Sequence, residues 1–219
     1  MPDEVRVGVL VSGTGTVLQS LIDACRSGGV PARIAVVISN VPGAFALERA
    51  RAAGIPAVTL DHRAFPGRTA FEAALREALD GARVDLVCLA GFIRILTPEF
   101  VARYAGRMMN IHPALLPAFG GKGMYGDRVH EAVLASGARV SGCTVHFVTA
   151  DTDAGPIIAQ APVPVEDDDT PVTLSAKVRR EELRVYPLAV RWFAEGRLRI
   201  EGSRVRVLAA PAAELEARS

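Results

Sequence analysis

Three short stretches of this chain combine residue types that can do chemistry. Asn110-Ile111-His112-Pro113 sets an amide and an imidazole two residues apart. On a strand both project from one face, and Pro113 ends the pairing just beyond them. An amide N–H can hold a carbonyl oxygen as it gains negative charge, and an imidazole can carry a proton near neutral pH. The same pair can equally satisfy backbone groups at a strand end. The second stretch, Asp151-Thr152-Asp153-Ala154-Gly155-Pro156, is a carboxylate-rich turn. Such turns are commonly solvated loops, but an acid beside His112 would orient the ring and raise its pKa by favouring the charged form.

Ser12-Gly13-Thr14-Gly15-Thr16 is the third stretch, where a strand turns into a helix and free backbone N–H groups can face a phosphate. Glycines also make tight turns with nothing bound. The full dinucleotide fingerprint is absent: Leu18 stands where its third glycine would be, and the second strand ends in Ser39-Asn40 with no acid for a ribose. A nicotinamide cofactor is disfavoured and a single phosphate is retained. No metal is expected, because Cys143 and His146 point to opposite faces of a strand and no other His/Cys pair has ligand spacing. His62 and His130 stand alone and are expected on the surface.

The elements that must position these residues follow from hydrophobic periodicity. Residues 5–11 read as a strand, and Leu18, Leu21, Ile22 and Cys25 then recur at helical spacing. Strands are predicted at 33–39, 85–90, 108–112, 144–148 and 157–163, with a further extended piece at 55–58. Helices are predicted at 44–53, 69–79, about 127–136, and from Thr170-Pro171 through Glu195 with a bend at Pro187. Thr97-Pro98-Glu99 looks like an N-cap with proline at the first helical position. Residues 198–208, with Glu201-Gly202-Ser203 at the middle, suggest a small hairpin, and the tail after Pro211 is expected to fray. The alternation predicts one α/β domain: a doubly wound, mainly parallel twisted sheet with helices on both faces and ligands beyond the carboxyl ends of the strands.

Composition excludes several functions. Twenty-five basic residues against 24 acidic ones leave a net charge of +1, so no general field exists to hold nucleic acid or an anionic membrane. The apolar run at residues 86–93 falls far short of a membrane span of about 20 residues. Met1-Pro2-Asp3-Glu4 is acidic where a signal peptide would be basic. Cys25, Cys88 and Cys143 are an odd, widely spaced set in apolar segments, expected to be reduced and buried in a cytoplasmic protein.

Taken together, the motifs resemble the phosphoribosylglycinamide formyltransferase family from Val5 to about Ile200. The likeness rests on Ser12-Gly13-Thr14-Gly15, on Ser39-Asn40, on residues 89–96 (Leu-Ala-Gly-Phe-Ile-Arg-Ile-Leu), on residues 110–117, and on residues 142–148 leading into Asp153-Ala154-Gly155-Pro156. The resemblance implies a single formyltransferase domain, with a phosphoribosyl-binding half at about 1–105, a folate and catalytic half at about 106–200, and the hairpin and tail at 198–219. It implies transfer of the formyl group of 10-formyltetrahydrofolate, a co-substrate, to the amine of glycinamide ribonucleotide in purine synthesis. No metal, nucleic acid or membrane takes part, and the chain would be a monomer or homodimer.

By the same resemblance Asn110, His112 and Asp153 are the catalytic set. Gly15, Thr16 and Val17 would cradle the ribonucleotide phosphate, and Glu182, within Arg179, Arg180, Glu181 and Glu182, would bond ribose hydroxyls. The pterin would lie along Ile93, Arg94, Ile95 and Leu96, with Asn110, and along Thr149, Ala150, Asp151, Thr152 and Asp153, while Arg68 would meet the folate tail. Val17 departs from the family's frequent Asn and offers only its backbone N–H. The glycine-rich loop 119–126 is a variable region whose glycines suggest mobility. Other 10-formyltetrahydrofolate enzymes, a hydrolase or a tRNA formyltransferase, and a non-catalytic nucleotide-binding module are the alternatives.

Overall fold

The computed structural model describes residues 4–210; the expected frayed tail and Met1-Pro2-Asp3 lie outside the described residues. The elements follow in the order β1 (Val5–Val11), α1 (Thr16–Arg26), β2 (Ala32–Ser39), α2 (Phe45–Ala52), β3 (Ala57–Thr59), α3 (Arg68–Gly81), β4 (Leu86–Leu89), α4 (Pro98–Arg103), β5 (Met108–His112), α5 (Asp127–Ala135), β6 (Val140–Phe147), β7 (Ile157–Pro164), α6 (Pro171–Ala194), β8 (Leu198–Glu201) and β9 (Arg204–Val207). A short 3₁₀ turn, His62–Ala64, precedes α3. Caps end up where the residue types require: Thr97 Oγ1 accepts from Phe100 N, and Thr170 and Thr173 form a capping box at the start of α6. That helix continues through Pro187 for 24 residues.

The nine strands of the described residues join one sheet in the order β3-β2-β1-β4-β5-β6-β7-β9-β8. β1 to β5 are mutually parallel, and the order reverses between β1 and β4, where a ligand cleft is expected beyond the strand ends. β6 then runs antiparallel to both β5 and β7, and the β8–β9 hairpin closes that edge. β6 starts four residues earlier than its periodicity suggested, because residues 140–143 pair with β7 beyond the end of β5.

Alternate residues of the parallel strands fill two cores, one on each face of the sheet. Val7, Val9, Val11, Met109, Ile111, Cys143 and Val145 pack with α1, α2 and α6, while Leu10, Ile38, Val87, Leu89 and Met108 pack with α3 and α4. Tyr186 of α6, fully enclosed, brings its hydroxyl within 3.1 Å of the Leu89 carbonyl and 3.0 Å of the Met109 carbonyl. It thereby ties α6 to β4 and β5 one residue before Ala90 and Asn110. Cys88 and Cys143 are buried and Cys25 is half-buried, all as free thiols. Burial pushes their pKa values up to about 12, 12 and 11, so none is an activated nucleophile.

Candidate active site

Asn110 pairs opposite His146 and His112 opposite Thr144, so four polar side chains share one face at the β5–β6 ladder. Residues 148–156 fold back over that face and set Asp153 between the two rings. Its Oδ2 lies 3.5 Å from His112 Nδ1 and its Oδ1 3.6 Å from His146 Nε2. Asn110 Nδ2 is 3.2 Å from His146 Nε2. The carbonyl partners decide where the ring protons sit, since a carbonyl can only accept. His112 Nε2 donates to Phe119 O at 2.8 Å, and His146 Nδ1 donates to Phe147 O at 2.9 Å. When neutral, His112 therefore turns its unprotonated Nδ1 toward Asp153, while His146 Nε2 faces both the Asn110 amide and the Asp153 carboxylate.

Burial pushes the His112 pKa below its ordinary value; the Asp153 carboxylate and the Phe119 carbonyl offset this only in part. This corrects the expectation that Asp153 keeps the ring charged at rest, because His112 is only 3% exposed and desolvation of the imidazolium outweighs the neighbouring charge. For Asp153 the balance goes the other way. Burial raises its pKa, but the His146 and His112 rings and the Gly121 N–H, which donates to Oδ2 at 2.9 Å, bring it below the usual carboxylate value.

The local backbone explains the residue types. Asp153 itself has φ 56°, a left-handed conformation that costs a non-glycine residue roughly 1–2 kcal/mol. Two residues on, a Cβ on Gly155 would lie 1.8 Å from the Phe147 carbonyl oxygen, so only glycine lets the loop return against β6. Below the rings, Thr144 Oγ1 donates to Ala114 O at 2.6 Å and accepts from Leu116 N and Gln160 Nε2, each at 3.0 Å. That network pins the chain after His112, including the cis Leu116–Pro117 bond.

At the other end of the same cleft, the turn after β1 presents the free N–H groups of the first turn of α1, with no side chain capping them. Gly15 has φ 72°, and a Cβ there would come 2.6 Å from the Ala46 Cβ of α2. The Val17 side chain is buried in the core, leaving only its N–H for a ligand. Arg179 reaches across from α6: its Nη1 donates to Thr16 Oγ1 at 2.9 Å and its Nε lies 3.2 Å from Glu182 Oε2. Burial raises the Glu182 pKa to about 7, against the opposing pull of Arg179.

Between these ends, the segment after β4 is fixed at both sides. Ser12 Oγ accepts from Ile93 N at 3.0 Å while donating to Asn40 Oδ1 at 2.5 Å, and Glu72 accepts from Thr97 N and Oγ1 at 2.8 and 2.5 Å. Ile93 and Ile95 are left 62% and 45% exposed and give the cleft an apolar lining. The whole forms one cleft of about 450 Å³ running from Gly13–Val17 past residues 89–96 to Asn110, His112 and residues 148–153.

The chain as a whole has counterparts among known proteins. A family model described as formyl transferase matches residues 5–190. Phosphoribosylglycinamide formyltransferase of Haemophilus influenzae is 42% identical over 196 residues, 90% of this chain and 90% of that protein. The chain belongs to the phosphoribosylglycinamide formyltransferase family. The trifunctional purine biosynthetic protein adenosine-3 of Bos taurus is 46% identical over 91% of this chain, which spans only 19% of that protein's length. Among solved structures, glycinamide ribonucleotide transformylase 1 from Symbiobacterium toebii superposes with a TM-score of 0.91 at 51% identity, covering 95% of this chain and 96% of that one.

Most residues that the family resemblance singles out line the cleft: Gly15, Thr16, Val17, Ile93, Arg94, Ile95, Leu96, Asn110, His112, Thr149, Ala150, Asp151, Thr152 and Asp153. Of the group on α6, Arg179 and Glu182 line it; Arg180 and Glu181 do not, because only positions three apart share that helical face. Arg68 begins α3, exposed, and is not among the lining residues. Among the described residues no group could hold a metal ion, and no helix is long and apolar enough to cross a membrane.

Sequence motifs missed three histidines that the structure places differently. His146 was discounted as a metal ligand, yet it is paired with Asn110 and Asp153; the signal was its alternation with Thr144 on a strand of unknown partner. Neither lone histidine is a surface residue. His62 is half-buried, 3.1 Å from the Asn40 carbonyl, and His130 is buried and lines the cleft.

Proposed function

We propose that this chain transfers the formyl group of 10-formyltetrahydrofolate to the amine of glycinamide ribonucleotide, a step of purine synthesis. The observation that carries this reading is the continuity of the cleft, which joins an anion-binding helix start to the Asn110, His112 and Asp153 cluster along an apolar wall suited to a flat ring. The ribonucleotide phosphate takes the N–H groups of Thr16 and Val17, with Arg179 beside it, and Glu182 accepts from a ribose hydroxyl. The pterin lies against residues 93–96 and 149–153.

The amine attacks the formyl carbon directly, so no covalent enzyme intermediate is needed. As the C–N bond forms, the carbonyl oxygen becomes anionic. Asn110 exchanges His146 for that oxygen, an interaction typically of about 3 kcal/mol. The neutral His112 ring takes the proton released by the amine, and the imidazolium so formed is stabilised by Asp153, 3.5 Å from its Nδ1. That proton then goes to the folate nitrogen as its bond to the formyl carbon breaks. A relay of this kind contributes about 10²–10⁴-fold, and it starts from the neutral ring that burial favours.

The test is an assay of tetrahydrofolate release with both substrates present. Release that requires glycinamide ribonucleotide is expected. Equal release without the ribonucleotide would make the chain a hydrolase, and no release in either case would remove the enzyme reading.

A further inference from the structure

α5 carries a histidine with a ring nitrogen that the protein leaves unused. His130 is 3% exposed, its Nδ1 is enclosed without a hydrogen-bond partner, and its ring lines the cleft. The charged and titratable groups that face it are Asp127 on its own helix, Arg179 of α6 at the phosphate end, and the His112 ring at the reacting end. His130 thus stands between the two halves of the cleft. Burial also lowers its pKa, so the ring is neutral and carries one proton.

The enclosure decides which nitrogen holds that proton. A buried N–H without an acceptor is costlier to the fold than a buried lone pair, and Nδ1 has no acceptor. The proton therefore sits on Nε2, the other polar atom of a ring that lines the cleft. The phosphate is already supplied by the start of α1 and by Arg179, and the formyl oxygen by Asn110. What remains between them is the uncharged ribosyl-amide portion of the ribonucleotide, which offers hydroxyl, ring and carbonyl oxygens as acceptors.

We propose that His130 is a specificity-determining ligand of the ribonucleotide, its Nε2–H donating to an oxygen of the ribosyl-amide portion. This rests on the formyl-transfer reading above. It predicts that the ring selects the length and polarity of the acceptor substrate and takes no part in proton transfer.

The experiment compares the parent with His130→Phe, which keeps a ring but no donor, and His130→Gln, whose Nε2 can stand in for the imidazole donor. His130→Phe should raise the KM for glycinamide ribonucleotide about tenfold, as the loss of one hydrogen bond implies, with the KM for 10-formyltetrahydrofolate unchanged. His130→Gln should restore most of that loss. An unchanged ribonucleotide KM in His130→Phe, or equal rises for both substrates, overturns the proposal while an active parent leaves the formyl-transfer reading standing; an inactive parent sinks that reading instead. Should neither variant fold, ¹⁵N-histidine spectra of the parent decide: ribonucleotide must shift the His130 Nε2 signal, and a signal that stays put overturns the assignment.

Discussion

The two ends of the cleft are built by different means. At the end proposed to take the phosphate, the groups on offer are backbone N–H donors, and the residues that present them, Gly13 to Val17, are consecutive in the chain. At the reacting end they are side chains from β5, β6 and the loop beyond, and two of them are held by backbone groups of a further loop: Phe119 O on His112 and Gly121 N on Asp153. A helix start needs only local geometry to bind an anion. Proton and oxyanion chemistry needs groups whose charge states are set by neighbours distant in sequence, so this end demands tertiary assembly and is the more fragile.

The largest effect separating the two ends is expected from His112→Ala. Turnover should fall about 10²–10⁴-fold while the KM for glycinamide ribonucleotide stays within about twofold, since the phosphate end is untouched. Steady-state kinetics checks both numbers, and a parallel loss of ribonucleotide affinity would erase the distinction between the ends.

Glu182→Gln probes the phosphate end through pH. The unfolded carboxyl titrates near 4.5 and the native one at about 7, so the native state binds more protons in between. The contribution of this group to stability is therefore full below pH 4.5 and lost as pH rises through 7. Denaturant unfolding should show the variant gaining on the parent by up to about 3 kcal/mol between pH 4 and pH 8. A gain that is flat with pH would mean Glu182 is ionised at rest.

Glycine substitutions sharpen the contrast in the backbone. Gly155→Ala forces a Cβ to within 1.8 Å of the Phe147 oxygen and should cost about 1–3 kcal/mol, along with turnover, because the Asp153 loop must move. Gly13→Ala meets nothing within 4 Å and should change stability by less than about 0.5 kcal/mol. Thermal or denaturant melts compare them directly. At the reacting end Asp153→Asn should lower the His112 pKa further in an NMR titration, because the one neighbouring charge that raises it is gone. A rise would show that another group governs the ring.

Sequence by itself determined the periodic elements, their caps and the glycine turn after β1, because each depends on residues within about one helical turn or one strand. It also placed Asn110 and His112 on one face by strand spacing and marked a carboxylate-rich turn at 151–153, within which the family resemblance picks out Asp153. Only the tertiary structure decided that β6 runs antiparallel beside β5, which is what brings His146 opposite Asn110 and lets Asp153 reach both rings. The same assembly reversed the charge expected of His112 and turned His130 inward. Burial is a property of the packed whole, and the cost of desolvating a charge depends on every element that excludes water from it.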